Sequence, residues 1–123
     1  MATQITKNTS FFYICKENYF QGILPADPES REKDGYKTVV QIARTYFSAG
    51  LYEPIVQYLS EGRYFVKLWS AYLILEYGNP TESLRNSCIE IIQNTVSQFS
   101  NELPPKQEEF FKAYLEGKSG VSV

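Results

Sequence analysis

Residues 61–80 read EGRYFVKLWSAYLILEYGNP. The run has the residue types of a helix from about Arg63 to Tyr77, and Gly78 and Pro80 supply stop signals after it. Phe65, Leu68, Trp69, Tyr72 and Leu73 form one apolar stripe at helical spacing. Val66, Trp69, Leu73 and Tyr77 form another, with Ser70 and Ile74 beside it. Lys67, Ser70 and Glu76 are the few polar positions. A helix at a protein surface keeps one polar face, whereas a helix that is apolar nearly all round is covered all round. This helix is therefore predicted to sit in the middle of the domain, with other helices on both sides.

Outward from it, the same periodicity recurs. Tyr36, Val39, Val40, Ala43, Tyr46 and Phe47 share a face of a helix that Gly50 ends. Pro54 suits a first helical position, followed by Ile55, Val56 and Leu59 in a short helix closed by Gly62. After Pro80, a helix begins at Thr81 or just before it, with the stripe Leu84, Cys88, Ile91, Ile92, Thr95 and Phe99. Pro104 and Pro105 make a turn into a last short helix carrying Phe110, Phe111, Tyr114 and Leu115. Near the N-terminus, Phe11, Phe12, Cys15, Tyr19 and Phe20 fall on one side of a helix. Asn8, Thr9 or Ser10 would cap its start, and Gly22 with Pro25 would end it. The stretch LPADPESREKDG that follows reads as an exposed linker. No stretch alternates at the period of a strand, so the chain reads as all-α.

The 123 residues suit one domain: an N-terminal helix over 8–24, a linker over 25–33, stacked helices over 34–117 and a frayed tail over 118–123. Hydrophobic residues make up 43% and aromatics 15%, with ten Tyr and eight Phe, so the core is substantial and many rings can sit half-buried at its edge. The net charge is −2 and no basic run occurs, which argues against a phosphate-backbone footprint and so against nucleic acid as partner. No apolar run reaches membrane-span length, and the first residues make a poor signal peptide. Cys15 and Cys88 lie in apolar helical runs and read as reduced, buried small hydrophobes, which fits a cytoplasmic location.

No His is present, which removes the commonest general base and the triads built on it. Two distant Cys without His cannot close a zinc tetrahedron. Glycines are scattered singly, so no phosphate-cradling loop exists, and DPESREKDG lacks the spacing of a calcium loop. Catalytic, metal and cofactor residues are accordingly expected to be none. Glu108 and Glu109 open the last helix, where acids favour the positive helix end. Glu76 lies late in the central apolar helix: as a pocket carboxylate it would need a partner, and the plainer reading points it outward at the helix end.

The stretch YLSEGRYFVKLWSAYLILEYGNPTESLRNSCIEII resembles a HEAT-type helical repeat. Val66 and Lys67 stand where that family has Val-Arg, Ser70 and Ala71 match its small pair, Leu73 and Ile74 its aliphatic pair, and Gly78 its helix end. NPTESLRNSCIEII looks like the second helix of the repeat, and the two helices before it look like a degenerate second copy. VKLWSAYLILEYG is also similar to a small bacterial family of HEAT-like domains of unknown function with a related VRLWAA stretch. The resemblance implies a short α-solenoid of about five to six antiparallel helices and no activity.

Such a frame can serve three uses. A HEAT-like frame without a catalytic set fits a non-catalytic protein-binding module, such as an immunity-type protein that blocks a toxin, or an adaptor. A small-ligand carrier, or an enzyme working without His, would instead use Tyr hydroxyls and Glu76 in an inter-helix pocket. Nucleic-acid binding fits the charge balance least. For protein binding the candidate contacts are Tyr58, Arg63, Tyr64 and Lys67, because Tyr and Arg anchor interfaces and these four gather at one helix junction. Their plain alternative is structural, with Tyr64 covering a helix end.

Overall fold

The computed structural model describes residues 7–99, 101–103 and 105–118. Six α-helices account for most of them: α1 (Lys7–Gln21), α2 (Asp34–Ser48), α3 (Glu53–Val56), α4 (Val66–Tyr77), α5 (Glu82–Gln98) and α6 (Pro105–Lys118). Among the described residues there is no strand, and no helix is long and apolar enough to cross a membrane. Pro104 and the tail over 119–123 lie outside the described residues.

Helix α4 is the centre. Nine of its twelve residues are buried, and only Lys67, Glu76 and Tyr77 escape. Helices α1, α2 and α3 pack against it, as does α5, so both apolar stripes are covered. Its start differs from the expected one. Arg63–Phe65 form a 3-10 turn in which Tyr64 (φ 52°) and Phe65 (φ 57°) are left-handed, and α4 begins only at Val66.

Local signals account for the other boundaries. Gly22 (φ 72°) and Gly50 (φ 76°) end α1 and α2 in the left-handed conformation that glycine adopts without penalty. At each, the next residue's N–H reaches back five residues, Ile23 to the Asn18 carbonyl and Leu51 to the Tyr46 carbonyl, both at 2.9 Å. Thr81 caps α5, its hydroxyl accepting from the Leu84 N–H at 3.2 Å. The buried face of α2 is Tyr36, Val39, Ala43, Tyr46 and Phe47, with Val40 at its margin.

Two expectations change. Asn8, Thr9 and Ser10 lie inside α1, which starts at Lys7, so none stands before the helix as a cap. The segment after α1 is also no exposed linker: Ile23, Leu24, Pro25, Ala26 and Ser30 are buried. The Ser30 hydroxyl accepts from the Leu24 N–H at 3.2 Å and donates to the Asp27 carboxylate at 2.8 Å. Gln107, 2% exposed on α6, donates to the Pro25 carbonyl at 2.6 Å. Charged residues on the outside of this turn (Glu29, Arg31, Glu32, Lys33) hide its buried half from a reading of composition.

Cys15 and Cys88 are both buried and unlinked. Burial pushes the Cys15 thiol well above its ordinary value and the Cys88 thiol up to about 12. Thiolate is the reactive form, so native protein at pH 8 is expected to react slowly with iodoacetamide. Unfolded without reductant, it should show two modified thiols by mass, and finding none would mean a disulfide in solution.

Candidate interaction surface

The turn between α3 and α4 is built around Glu61. Its carboxylate accepts from the Arg63 backbone N–H at 3.1 Å and from the guanidinium at 2.9 and 3.3 Å. Those hydrogen bonds hold the Glu61 carboxyl below its usual range. The Glu61 carbonyl also accepts from the Lys67 N–H at 3.0 Å, which ties the turn to the first residues of α4.

Between these ties lie the two left-handed residues. For a non-glycine residue that conformation costs on the order of 1–2 kcal/mol, so surrounding contacts must hold it. The Phe65 ring, 8% exposed, meets Tyr19 at 5.3 Å and Phe99 at 5.5 Å. Tyr64 meets Phe12 at 5.9 Å, Tyr19 at 5.5 Å and Phe20 at 5.7 Å. Both rings are turned toward α1. Backbone strain of this kind concentrates where a structure presents side chains for use.

Helix α1 supplies the rest of the surface. Its buried side is Phe11, Cys15 and Asn18. Tyr13, Tyr19 and Phe20 are 54%, 37% and 66% exposed, an exposure too large for core aromatics. The expectation that Phe20 shares the buried side with Phe11 is corrected here, because residues nine apart lie about half a turn from each other around a helix. Two cations sit on the rings: Lys16 Nζ is 5.6 Å from the Tyr64 ring centre, and the Arg63 guanidinium is 5.0 Å from that of Phe12.

Three of the four residues expected at the junction thus come together around Phe12. Tyr58 stacks on it at 6.4 Å, Arg63 lies over it and Tyr64 meets its edge. Tyr58 also leans on the buried Phe11 at 5.2 Å. Lys67 is half-buried, and its backbone supports the turn. Phe12, Tyr13, Lys16, Tyr19 and Phe20 were missed as surface residues. Their signal was present: the aromatic arc of α1 is too wide for one face.

Glu76 is exposed, as expected of a charge at a helix end. It lies beside Tyr114 at the edge of a buried tyrosine group. The Tyr36 and Tyr72 hydroxyls are 2.9 Å apart, and the Tyr72 and Tyr114 rings meet at 5.1 Å. The hydrogen bond between the Tyr36 and Tyr72 hydroxyls joins α2 to α4. A cleft of about 770 Å³ lies between α5 and α6, and one of about 250 Å³ lies near Arg44 and Tyr77. Neither is lined by Glu76, Tyr36, Tyr72 or Tyr114.

Burial pushes the Tyr72 and Tyr114 hydroxyls far above the ordinary phenol range, with the Tyr36 contact adding at Tyr72 and the Glu76 charge at Tyr114. The fold therefore favours their neutral forms. Phenols in the unfolded chain ionise near pH 10, so this contribution is complete below about pH 10 and is lost as pH rises from there toward the folded values. The urea midpoint is expected to slip above about pH 8.5, where thiols of the unfolded chain ionise while Cys15 and Cys88 stay neutral in the fold, and to fall further by pH 11. Tyr72→Phe should flatten part of that fall, and an equal fall in both proteins would remove Tyr72 as a cause.

No protein-family model, no curated protein and no solved structure matches this chain.

Proposed function

We propose that this chain is a protein-binding module with no catalysis of its own, and that it engages its partner through the aromatic surface of α1 and the 58–65 turn. The observation that carries this is the exposure of Tyr19 and Phe20 against the left-handed Tyr64, with Tyr13 also exposed on α1 and with Lys16 and Arg63 on neighbouring rings. Contiguous exposed aromatics rimmed by polar groups mark interaction sites, and Tyr and Arg dominate interface energetics. The ligand-carrier alternative has the convergent hydroxyls of Tyr36 and Tyr72 in its favour, but these bond to each other.

The HEAT-like stacking belongs to the same proposal. In its support, α2 and α3 lie against α4 together with α5. A reducing, cytoplasmic setting fits two buried, unlinked thiols. An immunity-type role would make the partner a toxin, and an adaptor role would make it part of a larger assembly.

The test is affinity capture from the native cell extract followed by binding measurements on the captured protein. Arg63→Ala and Phe20→Ala are expected each to weaken binding by about 2 kcal/mol or more if they are anchors, with melting unchanged because both side chains are mostly exposed. Tyr64→Ala should lower both affinity and melting, because its ring touches three others. Unchanged affinity in Arg63→Ala and Phe20→Ala would take this surface out of the interface.

A further inference from the structure

We propose that the cleft between α5 and α6 is a second docking surface, and that its occupant is a basic helix of another protein. It shares no residue with the surface on α1 and the 58–65 turn, so it goes beyond the reading above. The cleft holds about 770 Å³, within the range of sites that admit a few side chains or a small ligand. Val96, half-buried on α5, and the largely covered Phe111 and Leu115 of α6 make its apolar base. From α6, Glu108, Glu109 and Glu116 line it with a single cation, Lys112. The α5 wall adds only the uncharged Gln93 and Ser97. Helix α6 is fastened from its other side, where Gln107 donates to the Pro25 carbonyl and the Tyr114 ring meets Tyr72.

Charge selects the occupant. Among the described residues none of these four charged side chains makes an ion pair, so three carboxylates stand at the cleft against one ammonium. Glu108 and Glu109 have a local reason to be there, since acids are favoured at a helix N-terminus. Glu116 has none: it stands in the last turn of α6, where the helix end favours cations. A cation from outside would stabilise an anion placed there. Glu109 and Glu116 are seven positions apart, so they lie on one line along α6, about 10.5 Å from each other. Two Lys or Arg seven positions apart on a partner helix have the same spacing, whichever way that helix runs. A residue midway between them meets Lys112, and there an acidic or neutral side chain fits and a third cation does not. That charge order separates a helix laid in a groove from a linear polycation, whose charges recur without the gap.

The surface is short. From Glu108 to Glu116 it spans about 12 Å, or two helical turns, and its base has room for little apolar area. Exposed ion pairs are individually weak and are screened by salt. The expected complex therefore forms fast, dissociates readily and weakens as ionic strength rises.

The probe is a labelled helical peptide with two arginines seven positions apart beside one leucine, titrated with the full chain and followed by fluorescence anisotropy. Binding should saturate below about 1 mM. Glu109→Lys and Glu116→Lys should each weaken it by about tenfold, with circular dichroism unchanged because both side chains are exposed. The same peptide with glutamates for its arginines should not bind wild type, and should bind the Glu109→Lys, Glu116→Lys double variant. Spermidine should bind at least about tenfold more weakly than the arginine peptide. No binding up to 1 mM overturns the proposal, as does binding that survives both charge reversals or a glutamate peptide that the double variant does not recover. Equal binding of spermidine would make this a small-cation site and overturn the helix. Loss of the peptide with Phe20→Ala, rather than with the Glu variants, would place it on α1 and overturn the cleft. If the peptide fails while Arg63→Ala and Phe20→Ala still lose a captured protein, the cleft proposal falls and the α1 reading stands. If the Glu variants lose the peptide and the α1 variants lose nothing, the α1 reading falls and the cleft stands.

Discussion

Trp69→Ala is expected to destabilise the domain by about 3–5 kcal/mol. The indole is 1% exposed at the middle of α4, with the Tyr36 ring at 5.3 Å and the Tyr72 ring at 6.3 Å. Truncation removes the transfer free energy of a large ring and also leaves a void. How much a void costs depends on whether its walls can move in. Here they are held from several directions, since α4 carries α2 and α5, and Tyr36 is fixed by its hydrogen bond to Tyr72. Urea unfolding followed by far-ultraviolet circular dichroism measures the loss, because the variant no longer contains a tryptophan to report by fluorescence. A curve that overlays wild type would remove α4 from the centre of the fold.

Gly35→Ala should lose about 2–4 kcal/mol, against the sign that helix propensity alone would give. Within a helix, Ala is favoured over Gly by up to about 1 kcal/mol, and Gly35 sits in the first turn of α2. A Cβ at that position would overlap the Asn18 side-chain oxygen and lie 3.1 Å from Ile23 Cδ1. Asn18 is 1% exposed and donates to the Gly35 carbonyl at 3.2 Å. Moving it aside costs about 1–3 kcal/mol in overpacking and leaves a buried carboxamide without its acceptor, about 1–3 kcal/mol more. Adding Asn18→Ala to Gly35→Ala should recover part of the loss, because the two residues compete for one space. A more stable Gly35→Ala protein would show that α1 and α2 do not approach this closely in solution.

The two variants probe features of different legibility. Trp69 could be placed from the sequence because the lack of a polar face is written within a single helix, and such a helix has few places to go. The stripe of α2 and the Thr81 cap of α5 were legible for the same reason: neighbours within four residues produce them. Gly35 was not legible. It closes the stretch LPADPESREKDG, which reads as an exposed linker, and its role depends on Asn18, which lies 17 positions earlier and across a chain reversal.

The candidate surface divides in the same way. Tyr58, Arg63 and Tyr64 could be singled out by residue type at a helix junction. Nothing in RYF announces two left-handed residues, because no Gly or Asn stands there, and the rings of α1 and of Phe99, just after α5, are what hold them. Glu76 carries its charge at the helix end, where water reaches it, and only its place beside Tyr114 on α6 is news.

Periodicity was enough to specify the helices, their order and the burial of α4, because each depends on residues close in the chain. Packing between distant segments decided the rest. It split the wide aromatic arc of α1 so that Phe11 faces the core and Phe20 faces solvent. It also buried one side of a charged stretch, where Gln107 donates to the Pro25 carbonyl, 82 residues apart. A helix that is apolar on more than one side leaves its orientation undetermined until its neighbours arrive, and a buried carbonyl finds its donor wherever the fold brings one.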